Sequence, residues 1–321
     1  MNSPAGAPSS PGRRDGILVQ LRVSLLRGLL HVLSHEWRIS KRIRRSAWNR
    51  VYSACAQDFL PTGVMSFLNL GYLADPGELG DHDSADISDR LSELLYDRLV
   101  ADVQLKGLEV AEVGCGPGGG SAYLTRTYSP SSFTAIDINK DMVAWGSEHH
   151  REANLRFVQG DAMELPIDSN SVDVLLNLES SHCYPSRLRF FEEVMRVLRP
   201  GGFFMFADLL ADPGSTEEAD LVSAQLSEAG LVIENRTDIT KSVVASRDAL
   251  SGSNAFRAHL ERNVQPEHLR VIEDSLFMVD TPVYNQMAAG KVPYVHWRTA
   301  KPAEDIGALD IGASKGTVAP H

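Results

Sequence analysis

The sequence predicts an α/β protein built on a parallel, doubly wound sheet of seven strands. A helical extension precedes the sheet and a helical lid is inserted ahead of its last strand. Three observations predict this. Between residues 109 and 208, short apolar runs of strand length alternate with helical stretches. The first run ends in the glycine-rich turn Gly114-Cys115-Gly116-Pro117-Gly118-Gly119-Gly120, which opens into a helix. The run Val197-Leu198-Arg199-Pro200-Gly201-Gly202 forms a helix-to-strand hinge, in which proline stops the helix and glycine permits the reversal; it carries no chemistry.

Residues 1–16 form a leader rich in Pro, Ser, Gly and Ala that has nothing to bury and is expected to be disordered. Residues 17–106 form an N-terminal helical extension and cap. Within it, 17–56 reads as helix, with Gln20, Ser24, Arg27, His31 and Ser34 marking a polar stripe against a wide apolar face. Residues 74–84 are an acidic loop; Ile87, Leu91, Leu94, Leu95, Leu99 and Val100 then keep helical spacing up to Lys106-Gly107. The main domain spans 107–300. Its strands are expected at Glu109-Val113, Phe133-Asp137, Leu155-Gln159, Val172-Leu178, Phe203-Ala207, Leu231-Asn235 and Val292-Trp297. Helices fall at Gly118-Thr127, Lys140-His149 and Leu188-Leu198. Residues 241–290 read as helices with charged faces, and an insertion there lies near the carboxyl edge of the sheet, the position of a lid over a substrate cavity. Residues 301–321 read as a flexible tail.

The 321 residues are 43% hydrophobic and 23% charged, enough for a sizeable core. A net charge of -11 argues against nucleic-acid binding. That charge is uneven: residues 1–50 carry ten Lys/Arg against two Asp/Glu, or +8, which leaves -19 for the rest. The basic helix therefore either docks on the acidic body or makes weak contact with an anionic membrane surface. Arg22 and Arg27 interrupt the apolar run that follows Arg13-Arg14, so it suits neither a signal peptide nor a span. Three cysteines with no CxxC pairing read as reduced thiols, and residence is expected to be cytoplasmic. No metal is implied, since His149 and His150 are adjacent on a helix and face different ways. Oligomeric state is not legible.

Glycines at Gly114, Gly116 and Gly118 suit tight backbone angles and the close approach of a ligand to the main chain. Gly114, Gly116 and Gly119 also satisfy the dinucleotide pattern GxGxxG, with Asp137 at the expected distance, so the turn alone fits two cofactors. Asp137 closes its strand at the ligand edge, where a carboxylate accepts two hydrogen bonds from vicinal ribose hydroxyls; the other reading is a cap for the helix from Lys140.

Later signatures separate the two cofactors. Glu112 two residues before Gly114, the Cys-Gly-Pro-Gly turn and Asp137 resemble the first motifs of class I S-adenosylmethionine-dependent methyltransferases, whose sheet is Rossmann-like. Gly160-Asp161-Ala162, Leu165-Pro166-Ile167-Asp168 and Ser171-Val172-Asp173-Val174 follow in the same order. The resemblance implies S-adenosylmethionine as cofactor, held by Glu112, Gly114, Cys115, Gly116, Gly118, Asp137 and Ile138. Asp161 would accept from the adenine amino group with Ala162 beside the ring, and Asn177 and Tyr72 would complete the site. The segment Asn177-Leu178-Glu179-Ser180-Ser181-His182-Cys183-Tyr184-Pro185, with Tyr123-Leu124-Thr125-Arg126-Thr127 and Ala207-Asp208-Leu209, resembles the phthiotriol and phenolphthiotriol dimycocerosate methyltransferases over about residues 64 to 210. It departs from them at Gly114-Cys115-Gly116-Pro117 and in the basic leader.

Methyl transfer to a hydroxyl needs in-line alignment, exclusion of water and removal of a proton. His182 is the expected base, because imidazole titrates near neutrality and its loop leaves the fourth strand at the carboxyl end; Tyr184 and Asp208 would orient the base or the acceptor. The expected reaction is O-methylation of a bulky apolar acceptor, a polyketide or lipid alcohol. The alternative is a cyclase of the spinosyn type that keeps the cofactor motifs and transfers no methyl group.

Overall fold

The computed structural model describes residues 49–50, 52–63, 66–80, 84–210 and 217–303. The expected leader, most of the helix at 17–56 and the tail beyond 303 lie outside the described residues. Ordered along the chain are α1 (Ile87–Val100), β1 (Glu109–Val113), α2 (Gly119–Tyr128), β2 (Ser132–Asp137), α3 (Lys140–His149), β3 (Leu155–Gln159), β4 (Val172–Leu178), α4 (Arg187–Val197), β5 (Leu198–Leu209), α5 (Glu218–Glu228) and β6 (Val232–Asp238). Four helices, α6 (Thr240–Gly252), α7 (Asn254–Asn263), α8 (Pro266–Ser275) and α9 (Pro282–Ala288), precede β7 (Tyr294–Ala300).

The seven strands form one sheet in the order β3-β2-β1-β4-β5-β7-β6. It is mixed and not wholly parallel, because β7 runs antiparallel to both β5 and β6. The chain leaves β6, builds α6 to α9 and re-enters the sheet as β7 between β5 and β6. Helix α5, which the apolar spacing of 218–228 did not announce, supplies the crossover to β6. At the expected hinge no separate turn interrupts the chain: Leu198 pairs with Val172, Phe203 pairs with Val174, and the register shifts between them while Gly201 takes φ 78. Asp173 accepts from the Glu109 amide (2.8 Å) and pairs with Arg199 (2.7 Å), a structural role.

Alternation along each strand sends side chains to two cores. On one face Val110, Phe133, Val174 and Met205 meet Leu95, Leu99 and Leu124 from α1 and α2. On the other, Phe204, Phe206 and Trp297 pack with Phe190 and Phe191 of α4, and the Phe206 and Trp297 rings stack at 5.0 Å. A third cluster joins Phe59, Leu60 and the Leu91 face of α1 to Leu250, Phe256, Leu260 and Ile272 of the inserted helices. These helices thus brace the segment before α1, and that segment covers the carboxyl edge of the sheet.

Candidate functional site

At the carboxyl ends of β1, β2 and β4 lies a cavity with about 990 Å³ of empty volume, part of it open to solvent. Apolar walls come from Tyr52, Leu68, Ile136, Met142 and Leu178, and polar groups converge at two ends. No residue of α6–α9 lines it; Asn49, Tyr52, Leu68 and Asn69 form its cover. The inserted helices therefore act on the cavity through the segment they brace, which differs from the direct lid expected. Asn139, buried at the start of α3, fastens that cover: its amide donates to the Asn49 carbonyl (2.9 Å) and to Ser53 (3.0 Å).

The first polar end is the glycine turn facing β2. Gly114 (φ 79), Gly116 (φ 54) and Gly118 (φ 87) all occupy the left-handed region that L side chains avoid. Their neighbours differ. Gly114 and Gly116 line the cavity with Cys115, whereas Gly118 does not: a Cβ there would stand 2.3 Å from the Phe157 ring. Gly118 is thus required by packing beneath the turn. Asp137 binds the turn to β2, its Oδ2 accepting from the Gly116 amide (3.0 Å) and its Oδ1 from the Asn139 amide (2.8 Å). Burial pushes its pKa up to about 6, against the pull of those amide donors. It does not cap α3. Asn139 does so, accepting from the amides of Asp141 and Met142. With the Ile138 amide as a third donor, the carboxylate, which lines the cavity, has acceptor capacity left for one further donor. Ile138, 38% exposed, and the pair Asp161 and Ala162 complete this wall, with Asp161 Oδ1 held by the Met163 amide (3.0 Å).

Glu112 is fully buried and does not reach the cavity. Its carboxylate accepts from the hydroxyls of Tyr96 (2.7 Å) and Ser121, and burial raises its pKa to about 7. The expectation of direct ligand contact is corrected accordingly: Glu112 supports Tyr96, which lines the cavity, and the start of α2. Tyr72 is also displaced from its expected place, packing between two hydrophobic clusters while Asn69 of the same segment reaches the wall. Asn177 is buried below the wall, where its amide donates to the Val113 carbonyl (2.8 Å) and to Tyr184 (3.0 Å), so it acts on the cavity through Tyr184.

The second polar end is the loop after β4, contributing Glu179, Ser180, Cys183 and Tyr184. Tyr184 Oη and Ser180 Oγ share a hydrogen bond of 2.8 Å, close to Gly114, and burial drives the tyrosine pKa upward. His182 does not line the cavity. Its Nδ1 lies 2.7 Å from Asp208 Oδ1, and Asp208 Oδ2 accepts from the His182 amide (2.9 Å) and Ser181 (2.5 Å). Burial opposes a charged imidazole, yet Cys183 and Asp208 outweigh it and hold the His182 pKa well above its usual value. Burial likewise opposes the Asp208 carboxylate, and His182 and Arg187 hold its pKa low. An imidazole held in this way favours its charged form, and its Nδ1 is taken up by Asp208. The geometry departs from the expected free base at His182: two of the three expected catalytic residues form an ion pair behind the wall, and Tyr184 alone lines it.

Glu179 is the residue that sequence reasoning passed over. It lines the cavity at φ 48, and its Oε1 accepts from the Leu70 amide (2.7 Å) and the Tyr294 hydroxyl (2.8 Å). Its signal was its place at the carboxyl end of β4, directly before Ser180.

The donor set suits a ligand carrying its own hydrogen-bond donors. Carboxylates at Asp137 and Asp161 match hydroxyl and amino groups, and a Cβ at Gly114 would collide with Ser180 at 2.3 Å, so the turn must stay bare. Residues 111–206 match a family described as a methyltransferase domain. Over 207 residues the chain is 40% identical to the probable phthiotriol/phenolphthiotriol dimycocerosates methyltransferase 2 of Mycobacterium ulcerans (strain Agy99), covering 64% of this chain and 78% of that protein. Over 172 residues it is 41% identical to the fatty-acid O-methyltransferase of Mycolicibacterium smegmatis (strain ATCC 700084 / mc(2)155), covering 54% of this chain and 62% of that protein. Among solved structures the cyclase SpnF superposes with a TM-score of 0.64 at 19% identity, over 81% of this chain and 97% of that one, a likeness of fold.

Proposed function

The chain belongs to the class I S-adenosylmethionine-dependent methyltransferases, and from that membership we propose that it methylates a hydroxyl on a long apolar acceptor, a lipid or polyketide alcohol. The observation that carries this reading is a cavity with apolar walls and two separate polar ends, one acidic and backbone-rich, the other a loop of side chains after β4.

At the first end, Gly114, Cys115 and Gly116 would receive the methionyl part of the cofactor against bare backbone. Asp137 would accept from the ribose hydroxyls and Asp161 from the adenine amino group, with Ile138 and Ala162 against the ring. Glu112, Gly118 and Asn177 serve this end indirectly, by shaping the turn and its neighbours. S-adenosylmethionine supplies an electrophilic methyl group on a sulfonium. The protein's part is to align the acceptor, keep water out and take up a proton. Tyr184 orients the acceptor, and the His182–Asp208 pair positions the loop that carries Cys183 and Tyr184. Lipid acceptors named in two relatives support the apolar class.

We assign the enzyme to the cytoplasm, a reading supported by Cys55, Cys115 and Cys183 standing outside any disulfide. Among the described residues no helix is long and apolar enough to cross a membrane. The test is incubation with methyl-labelled S-adenosylmethionine and a long-chain secondary alcohol. Label is expected in an ether product. Tight cofactor binding without label in any alcohol, or an isomer of unchanged mass formed from a polyene, would overturn the reading.

A further inference from the structure

Resting on the methyltransferase reading above, we propose that Glu179 is the general base of the reaction, and that its open oxygen selects an acceptor bearing a neutral O–H over one bearing a carboxylate. Each polar group at this end can be weighed by the bonds it already makes. Asp208 does not line the cavity, and both of its oxygens are engaged, Oδ1 with His182 and Oδ2 with Ser181 and the His182 amide. Tyr184 is engaged with Ser180 and Asn177. His182 is ion-paired and off the wall. Glu179 alone among them presents an acceptor to the cavity: both of its hydrogen bonds fall on Oε1, and Oε2 makes none among the described residues.

The surroundings hold this carboxylate in place. Glu179 is the one described non-glycine residue on the cavity wall in the left-handed region, a conformation that costs energy and persists where the fold over-determines it. Here the Glu179 amide is tied to the Ala207 carbonyl (2.9 Å), while Oε1 is gripped by Leu70 from the covering segment and Tyr294 from β7. Arg247, 1% exposed on α6, donates to the Leu276 carbonyl (3.1 Å), and its Nη2 has no partner among the described residues. The Leu70 amide, the Tyr294 hydroxyl and His182 favour the Glu179 carboxylate, against the burial that pushes its pKa up to about 7, and Glu179 in turn favours the charge of Arg247. A group poised there is half ionised near neutrality, which suits a general base.

The step balances. The acceptor O–H bond breaks with its proton passing to Glu179 Oε2, the oxygen forms a bond to the methyl carbon, and the C–S pair returns to sulfur as the thioether. A carboxylate acceptor has no proton to give and would face the like charge of Glu179, so fatty acids are poor acceptors for this chain.

The experiment compares wild type with Glu179→Gln and Glu179→Asp, using a long-chain secondary alcohol and a fatty acid of equal length. Binding of S-adenosylhomocysteine is followed by calorimetry, and carboxyl protonation by difference infrared spectroscopy from pH 5 to 9. Expected are a loss of alcohol turnover of about 10²-fold or more in Glu179→Gln, unchanged cofactor affinity, and partial rescue by Glu179→Asp. Turnover of the wild type should rise with pH through neutrality, and a carboxyl band titrating over the same range should vanish in Glu179→Gln. The proposal is overturned by wild-type turnover of the alcohol in Glu179→Gln, by equal methylation of the fatty acid, or by a titrating band that survives the substitution. Failure to bind S-adenosylhomocysteine would instead sink the methyltransferase reading itself.

Discussion

Replacing Asp137 by Asn removes one charge while keeping the side-chain shape. In the wild type both carboxylate oxygens accept a backbone amide, Gly116 at 3.0 Å and Asn139 at 2.8 Å, and the carboxylate lines the cavity with acceptor capacity left for a ligand donor. An asparagine keeps one acceptor oxygen and turns an NH₂ toward the second amide, so one internal bond is lost and replaced by two donors facing each other. A hydrogen bond to a charged group is worth about 1.5–3 kcal/mol. The same range applies to the ligand hydroxyl that would meet the substituted oxygen. The expected loss of S-adenosylhomocysteine affinity is therefore about tenfold to 150-fold, at roughly 1.4 kcal/mol per decade, with a smaller loss of thermal stability from the displaced Gly116 turn. Calorimetry from pH 5 to 8 measures the first and thermal melting the second. Affinity in the wild type should also fall as pH drops through about 6, where Asp137 takes up a proton, and Asp137→Asn should remove that pH dependence. Unchanged affinity in the variant, with the same fall on acidification, would refute the assignment of this carboxylate to the cofactor.

Two other outcomes follow from the buried charges. Asp208→Asn removes the carboxylate that helps raise the His182 pKa, so the imidazole resonances of His182 should titrate at lower pH than in the wild type; breaking a buried pair of this kind typically costs about 3–5 kcal/mol, read as a lower melting temperature. Glu112 has its pKa raised to about 7 by burial, so its ionisation costs stability that is absent below its ordinary pKa and grows as pH rises toward 7. Glu112→Gln should therefore gain melting temperature relative to wild type between pH 5 and 8, and a constant difference across that range would contradict the assigned cause.

Much of the sheet was legible because each strand from Glu109 to Leu178 is a local apolar run bounded by its own turn chemistry. Asp137 and Asp161 were legible for a related reason: each ends a strand or opens a turn at the carboxyl edge, a position that topology dictates. Gly118 was legible as a required glycine but for a cause the sequence does not contain, since Phe157, which forbids its Cβ, belongs to β3. Glu112 looked like a ligand residue because it adjoins the turn. Only the packing of Tyr96 and Ser121 against its two oxygens turned it into a support.

Sequence by itself determined the α/β alternation, the glycine turn and the placing of Asp137 and Asp161 at the carboxyl edge of the sheet, because these depend on neighbours close in the chain. The direction of β7, the covering of the cavity by Asn49, Tyr52, Leu68 and Asn69, and the placing of Glu179 but not His182 on its wall were decided by tertiary structure. Helix α6, between β6 and β7, holds the covering segment at the end of β4, its Ser246 hydroxyl donating to the Leu70 carbonyl (2.7 Å) and its Ser242 carbonyl accepting from the Leu73 amide (3.0 Å). There the Leu70 amide and Tyr294, residues far apart in the chain, close on one oxygen of Glu179 and leave the other to the cavity. A carboxylate's role is set by which of its lone pairs remain unbound, and for Glu179 that is a property of contacts the linear chain does not display.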